Sequence, residues 1–555
     1  MEFTIRQISS LEKIRQTDPL PCDEISKKTV LAGERFSYQI CIRPKEISVS
    51  NLTVSVSAES DFGDALQLYL VKDAYMDKPV TDPTVTAEDY ITLEPGFMPD
   101  ILIPLKEQKF SASINGMLRT FWIRLDVPAD AVPGTYPVTI KLVFRNDRQY
   151  GPETYEKTML IEVLPVSVPE QKLIYTRWFY ADCIADQHNV PVFSEEHWAL
   201  MDKYIAAAAD LGINMILVPV HTPPLDTAIG TARPCVQLVD IEKKGGKYFF
   251  SFEKFRRFIG ICQANGIQYF EIAHMFSQWG AKCAPNIQVT QNGKTDYMFG
   301  WHVAANSPEY VNFLKQYIAA IYQELEHLGI SANTYFHISD EPSLDNMETY
   351  KAASDLFRPL IGNSKTFDAL SNYDFYEKGL VECPVTSVEH IHEFLKHNIE
   401  NQWTYYCCGP QKVFTNGFMA MPSYRTRILG YLLYKYDIKG FLHWGYNFYN
   451  SVVSYYPINP YLTTSGDGAY PSGDPFIVYP AKDGIYHSIR GQVMYEAIQD
   501  MDICFALEKY IGRDAVVAMI DRAAGMDLRF DEYPRSKEFL ENLRAEMIEK
   551  IRETC

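Results

Sequence analysis

The chain has 555 residues, 47% hydrophobic and 22% charged, an ordinary globular composition with room for two or three domains. Its formal net charge of −18, with no long basic run, argues against nucleic acid and anionic membrane surfaces as partners. No stretch approaches the roughly 18 apolar residues of a membrane span, and MEFTIRQISSLEKIRQ has no apolar signal core. A cytoplasmic protein without membrane insertion is therefore expected.

The eleven cysteines form no regular framework, and the odd count fits reduced thiols. Cys407 and Cys408, adjacent in sequence, do not easily bridge each other. No CxxC pair or Cys/His cluster points to structural zinc, and no cofactor is expected. Aromatic residues, 14% of the chain with 37 tyrosines, offer flat apolar faces with polar edges, which suit sugars.

Up to about residue 168 the pattern alternates. Phe36, Tyr38, Ile40 and Ile42 interleave with Ser37, Gln39 and Cys41, and Val138, Ile140, Leu142 and Phe144 repeat the rhythm, as do Met159, Ile161 and Val163. Turn signals such as Pro133-Gly134 separate them, so residues 1–168 are expected to form an antiparallel β-sandwich.

From Lys172 the rhythm becomes strand, helix, strand, helix. Eight strand candidates follow: Leu173–Phe179, Asn214–Val220, Gln268–Met275, Asn333–Ser339, Lys365–Leu370, Val385–Val388, Gln402–Cys407 and Gly440–Trp444. Helical spacing appears in Trp198, Met201, Ile205 and Leu211. Ser307-Pro308-Glu309 supplies a cap, a first-turn proline and a first-turn acid, and Ser423 likewise precedes a helical run. Eight such repeats predict a (β/α)8 TIM-type barrel over 169–510. A long loop from Tyr446 to about Ile489 is expected to sit over the catalytic face. Residues 490–555 read as helical, with 511–555 a C-terminal appendage.

Strand carboxyl ends of such a barrel converge on one pocket. The fourth candidate, NTYFHISDEP, delivers Asp340 and Glu341 before Pro342 breaks the strand. Other ends bring His221, His274, His337, Asn372, Glu389-His390, Tyr405-Tyr406 and His443-Trp444-Gly445-Tyr446-Asn447, with Trp279 and Trp301 in the loop after the third strand. Carboxylates with aromatic rings in one barrel mouth are a glycoside hydrolase composition. Neighbours on a strand alternate in direction, so adjacent acids do not flank a glycosidic bond as two independent carboxylates. They suit substrate assistance, in which the sugar's 2-acetamido oxygen is the nucleophile, one acid holds the acetamido N–H and the other protonates the leaving oxygen.

The run His337-Ile338-Ser339-Asp340-Glu341-Pro342 resembles the signature of glycoside hydrolase family 123, the β-N-acetylgalactosaminidases. So do Phe441–Asn447, Gly473-Asp474, Tyr479-Pro480 and Ser488-Ile489-Arg490; the likeness covers about 170–510. Where the family usually carries an Arg-Asp-Gly-type run after Arg490, this chain has Met494–Asp500. The resemblance implies a retaining exo-enzyme acting on β-linked N-acetylgalactosamine, with Asp340 polarising the acetamido group and Glu341 as general acid/base. Trp444 is the expected sugar platform, with Trp301 a second candidate. One of Tyr405 and Tyr406 should face the pocket. His274 and His337 either bind hydroxyls or are satisfied core histidines; Asn372 and Asn447 complete the candidate substrate contacts. Three other readings stand beside it: a hydrolase of another β-linked 2-acetamido sugar, metal-dependent hydrolysis through His221, His274, His337 and Asp340, and a non-catalytic carbohydrate-binding barrel. Against the metal reading, no HxH or HExxH pair occurs.

Overall fold

Eight short strands of three to six residues pair in chain order and close on themselves: β1 (Ile174–Arg177), β2 (Met215–Val218), β3 (Tyr269–Ile272), β4 (Thr334–Phe336), β5 (Lys365–Leu370), β6 (Cys383–Ser387), β7 (Trp403–Tyr405) and β8 (Gly440–His443). Every pairing is parallel, and β8 returns to β1 through Ile174 opposite Gly440. The computed structural model describes residues 2–555 apart from 46–51, 89, 106–109, 114–116, 147–151 and 279; Trp279 thus lies outside the described residues. Strands covered on both faces need no polar side, so β2 is simply Met-Ile-Leu-Val, all buried. Trp403 fills the barrel interior opposite Gly440, where a Cβ would lie 2.2 Å from the indole ring. Glycine at the start of β8 is thus the counterpart of a tryptophan in β7.

The helices start where the capping residues stand. Ser194 accepts a hydrogen bond from His197 N at the head of Glu195–Asp210, and Ser307 accepts one from Tyr310 N ahead of Pro308–His327. Ser423 departs from this pattern: the helix after it is a short Tyr424–Arg427 turn, and the serine hydroxyl accepts no cap bond. Between β5 and β6 only the one-turn helix Asp374–Glu377 fits.

The chain divides into two compact units. One is Leu173–Asn416 with Tyr436–Ile485 and holds the closed barrel. The other joins residues 1–172, 417–435 and 486–555. Its two sheets pack around Val30, Tyr38, Ile40, Val54, Phe121, Ile140 and Ile161. Pairing is antiparallel except that Lys27–Ala32 runs parallel to Glu153–Ser167. Alternation in Arg35–Pro44 predicts one buried face, yet nine of its ten residues are buried. The helical segments of the same unit meet its polar positions. Arg35 N donates to Gln499 Oε1 at 2.7 Å, and Gln499 Nε2 returns a 2.8 Å bond to Arg35 O. Arg490 forks onto the Asp100 carboxylate, both groups almost wholly buried. This grouping follows a different line from the 1–168, 169–510 and 511–555 division expected from composition, because helix Ile489–Ile511 is buried nearly all round within the sandwich unit.

Candidate functional site

β4 stops at Phe336, four residues before Asp340, so no strand ladder carries the acidic pair into position. A single carboxylate from the neighbouring strand takes its place. Asp368, in β5, accepts hydrogen bonds from the backbone N–H of Ile338 (3.1 Å) and Ser339 (3.3 Å), from His337 Nδ1 (3.1 Å) and from the Tyr350 hydroxyl (2.5 Å). On the other side His337 Nε2 donates to Glu271 Oε2 at 2.9 Å; Glu271 also accepts from Trp178 Nε1 and the Thr176 hydroxyl. Burial alone would favour neutral imidazole, but the bonds to Asp368 and Glu271 outweigh it and raise His337 to about 9. His337 is therefore an imidazolium beneath the pair.

The pair opens on a cavity of about 260 Å³ at the carboxyl ends of the strands. Asp340 is buried, and Gln278 Nε2 donates to its Oδ2 at 3.0 Å. Burial first, then the Glu341 charge, holds the Asp340 carboxyl well above the usual carboxylate range. Glu341 is exposed to the cavity, and the Tyr405 hydroxyl donates to its Oε1 at 2.6 Å. The backbone of Glu341 lies in the left-handed region at φ +43°, which turns the second acid toward the same space as the first. Asp226 and Val453, also on the cavity wall, share this conformation at +44° and +46°. Three non-glycine residues in it around one cavity are strain of the kind that binding sites retain.

Trp444 forms another wall, its orientation set by a relay. Arg177 Nη1 and Gly445 N both donate to His443 Nδ1, and His443 Nε2 lies 3.2 Å from Asp474 Oδ1. Asp474 Oδ2 in turn accepts from Trp444 Nε1 at 2.8 Å. Tyr470 packs on Trp444 and donates to Asp226 Oδ1 at 3.4 Å. Asp226 is raised to about 6, by burial foremost and by the Glu341 charge, with Arg233 and Tyr470 opposing. The long loop after β8 thus contributes Val452, Val453 and Tyr470 to the cavity, the placement expected for it.

Of the candidate residues, Asp340, Glu341, Tyr405 and Trp444 meet at this cavity. The other six lie elsewhere for identifiable reasons. His337 is enclosed by its carboxylates, and His274 is buried with its ring stacked 3.8 Å from that of His337. Tyr406 alternates away from Tyr405 and packs on Phe441 and His443. Asn447 spends its amide on the backbone of Tyr180, and Asn372 accepts from Asp374 N. Trp301 donates to Thr231 O beside a separate small cleft. Asp226, Gln278 and Tyr470 were not anticipated, since each sits in a loop without regular spacing, and Asp474 stood out only as part of the Gly473-Asp474 motif, with no role attached. A signal for Glu271 was present, since it is the one charged residue in Tyr269–Ile272; Asp368 shares its strand with Lys365 and Thr366 and stood out less.

The histidines do not form the metal set expected under the alternative reading. His221 Nε2 donates to His274 O, and burial lowers that ring to about 4. Among the described residues, His274, His337 and Asp368 bring ligand atoms close together, but both His337 nitrogens already bond carboxylates. A wider cleft of about 550 Å³ on the sandwich sheet contains one carboxylate, Asp73, and no paired acid.

A parallel eight-stranded barrel with acids and aromatic rings in one mouth is the arrangement of a glycoside hydrolase. The glycoside hydrolase 123 catalytic domain profile matches residues 178–507. The chain belongs to glycoside hydrolase family 123. Its fold is similar to a family 123 glycoside hydrolase from Clostridium perfringens, described in connection with glycolipid glycan hydrolysis. That match has a TM-score of 0.73 and 18% identity, over 100% of this chain and 98% of the other. A family 10 xylanase from Thermobacillus composti aligns at a TM-score of 0.30 and 12% identity, over 59% of this chain and 97% of its own. No curated protein matches the sequence. The substrate is a carbohydrate, and among the described residues no helix is long and apolar enough to cross a membrane.

Proposed function

We propose that the protein is a retaining exo-β-N-acetylgalactosaminidase that removes terminal β-linked N-acetylgalactosamine from glycans or glycolipid oligosaccharides, using the substrate's acetamido oxygen as nucleophile. The observation that carries this reading is that Asp340 and Glu341, neighbours in sequence, face one cavity across a left-handed turn. In this reading Glu341 serves the leaving oxygen as acid, and Asp340, whose carboxyl burial and the Glu341 charge raise in the structure described, works as the anion once the substrate's acetamido N–H occupies it. Asp340 then meets the positive charge that develops on the acetamido nitrogen as the oxazolinium ring closes. Gln278 and Tyr405 orient the two acids, and Trp444 offers the apolar face for a sugar ring. At about 260 Å³ the cavity suits one sugar residue, in keeping with exo action; sites for drug-sized ligands run roughly 300–1,000 Å³. Glycolipid glycan hydrolysis in the similar Clostridium perfringens enzyme supports the substrate class.

Asp226 on the same wall favours a second reading, in which it serves as a protein nucleophile opposite Glu341. Nitrophenyl β-glycosides with and without the 2-acetamido group separate the two. Substrate assistance expects turnover of the N-acetylgalactosaminide, an inert galactoside, and tight inhibition by the galactose-configured thiazoline that mimics the ring-closed intermediate. Faster turnover of the N-acetylglucosaminide would reassign the sugar. Covalent trapping of a 2-fluoro sugar on Asp226 would overturn the acetamido mechanism.

A further inference from the structure

Cys407 and Cys408 stand at the edge of the cavity, and no step of glycoside hydrolysis uses them. Consecutive residues of a strand point to opposite sides, but here the chain has left β7. Cys407 N donates back to Gly409 O, Asn416 Nδ2 bonds Cys407 O, and Gln411 Nε2 bonds Cys408 O. This fixed loop turns both side chains the same way, with the two Sγ atoms 3.8 Å apart. A tetrahedral d10 cation with metal–sulfur bonds of about 2.3 Å holds two thiolates about 3.8 Å apart. The thiols need not move to accept such an ion, whereas a disulfide would require closure to about 2.05 Å.

We propose that Cys407 and Cys408 form a two-thiolate site for a thiophilic divalent cation of the Zn2+ or Cd2+ kind, with water in the remaining positions, and that its occupation blocks the catalytic cavity. The surroundings favour a cation. The Glu341 and Asp474 carboxylates act on Cys407, and Asp226 and Asp340 line the same space. Cys408 is exposed, so an ion has access. The hydrogen bond with Cys408 foremost, then burial and the carboxylates, keeps the Cys407 thiol protonated. Binding therefore exchanges two thiol protons for one divalent cation, two metal–sulfur bonds forming as two protons leave, and it strengthens as pH rises.

The test uses full-length protein reduced with a phosphine, with Cys22 and Cys555, both exposed, replaced by serine so that they do not compete. Cadmium alone is titrated while the ultraviolet thiolate-to-metal charge-transfer band is recorded, and inhibition of turnover is followed in parallel. The parent should show a saturable band and loss of activity. C408S should lose the band and weaken inhibition at least about tenfold relative to its own uninhibited rate. C408A repeats the test with an apolar side chain. An equal band in parent and variants, or saturation without slowed turnover, overturns the proposal. The absorbance readout needs no glycoside, so its failure is distinct from failure of the sugar assignment.

Discussion

Asp368 never touches the cavity, yet four hydrogen bonds converge on it from the segment that carries the acids and from Tyr350. Glu341→Gln removes the proton donor directly and should cost about 10²–10⁴ in rate. The loss should be smallest for leaving groups that need little protonation, and equal losses on nitrophenyl and sugar leaving groups would argue against the acid role. Asp368→Asn should act through position: kcat falls on the order of 10²-fold, as an ångström of misplacement allows, with KM changed much less. Wild-type kcat in a folded variant would show that other contacts hold the pair. The same residue has a pH signature. His337 is raised from 6.5 to about 9, so its contribution is fully present below about pH 6.5 and disappears as pH climbs through 9. That contribution is on the order of 3 kcal/mol. In Asp368→Asn the fall should move to lower pH, which thermal midpoints measured between pH 6.5 and 9 would reveal.

At the scale of elements, the turn after β8 shows how closely backbone and site are joined. Gly445 N donates to His443 Nδ1, its carbonyl accepts from Arg177, and a Cβ there would lie 2.3 Å from Asp474 O. Gly445→Ala should therefore cost about 1–3 kcal/mol by overpacking and loosen the Asp474–Trp444 bond, lowering sugar affinity together with the thermal midpoint. An unchanged midpoint would mean the loop yields without strain. The eight strands were legible because buried parallel strands are near-continuous apolar runs, and Asp340-Glu341 was legible because a proline follows such a run at once. The Cys407-Cys408 geometry was not, since it depends on where Asn416 and Gln411 pin the loop. Nor were Asp226 and Tyr470 legible, which meet across 244 positions of sequence. Asn447 and Asn372 followed strand ends as binding residues do, but their amides answer local backbone demands instead. The alternation in Arg35–Pro44 hid a strand buried on both faces, because Arg35 and Gln39 spend their polar groups on partners that periodicity does not register.

Over the whole molecule, a net charge of −18 and a cavity bearing Asp226, Asp340 and Glu341 should discriminate by substrate charge. A sulfated or carboxylated glycan with the same terminal sugar should react more slowly than its neutral counterpart. The difference should shrink as salt brings the screening length below about 10 Å, and an unchanged ratio would remove long-range repulsion as the cause. The sandwich unit raises a matter of timing. Its buried charges are paired across great lengths of chain: Asp100 with Arg490 over 390 residues, and Glu34 with Arg544 over 510. Translation at roughly 5–20 residues per second leaves Asp100 waiting roughly 20–80 seconds for Arg490 to leave the ribosome. For that interval the N-terminal sheet is a half-finished object: a strand made to be covered on both sides stands with one of its covers still unsynthesised.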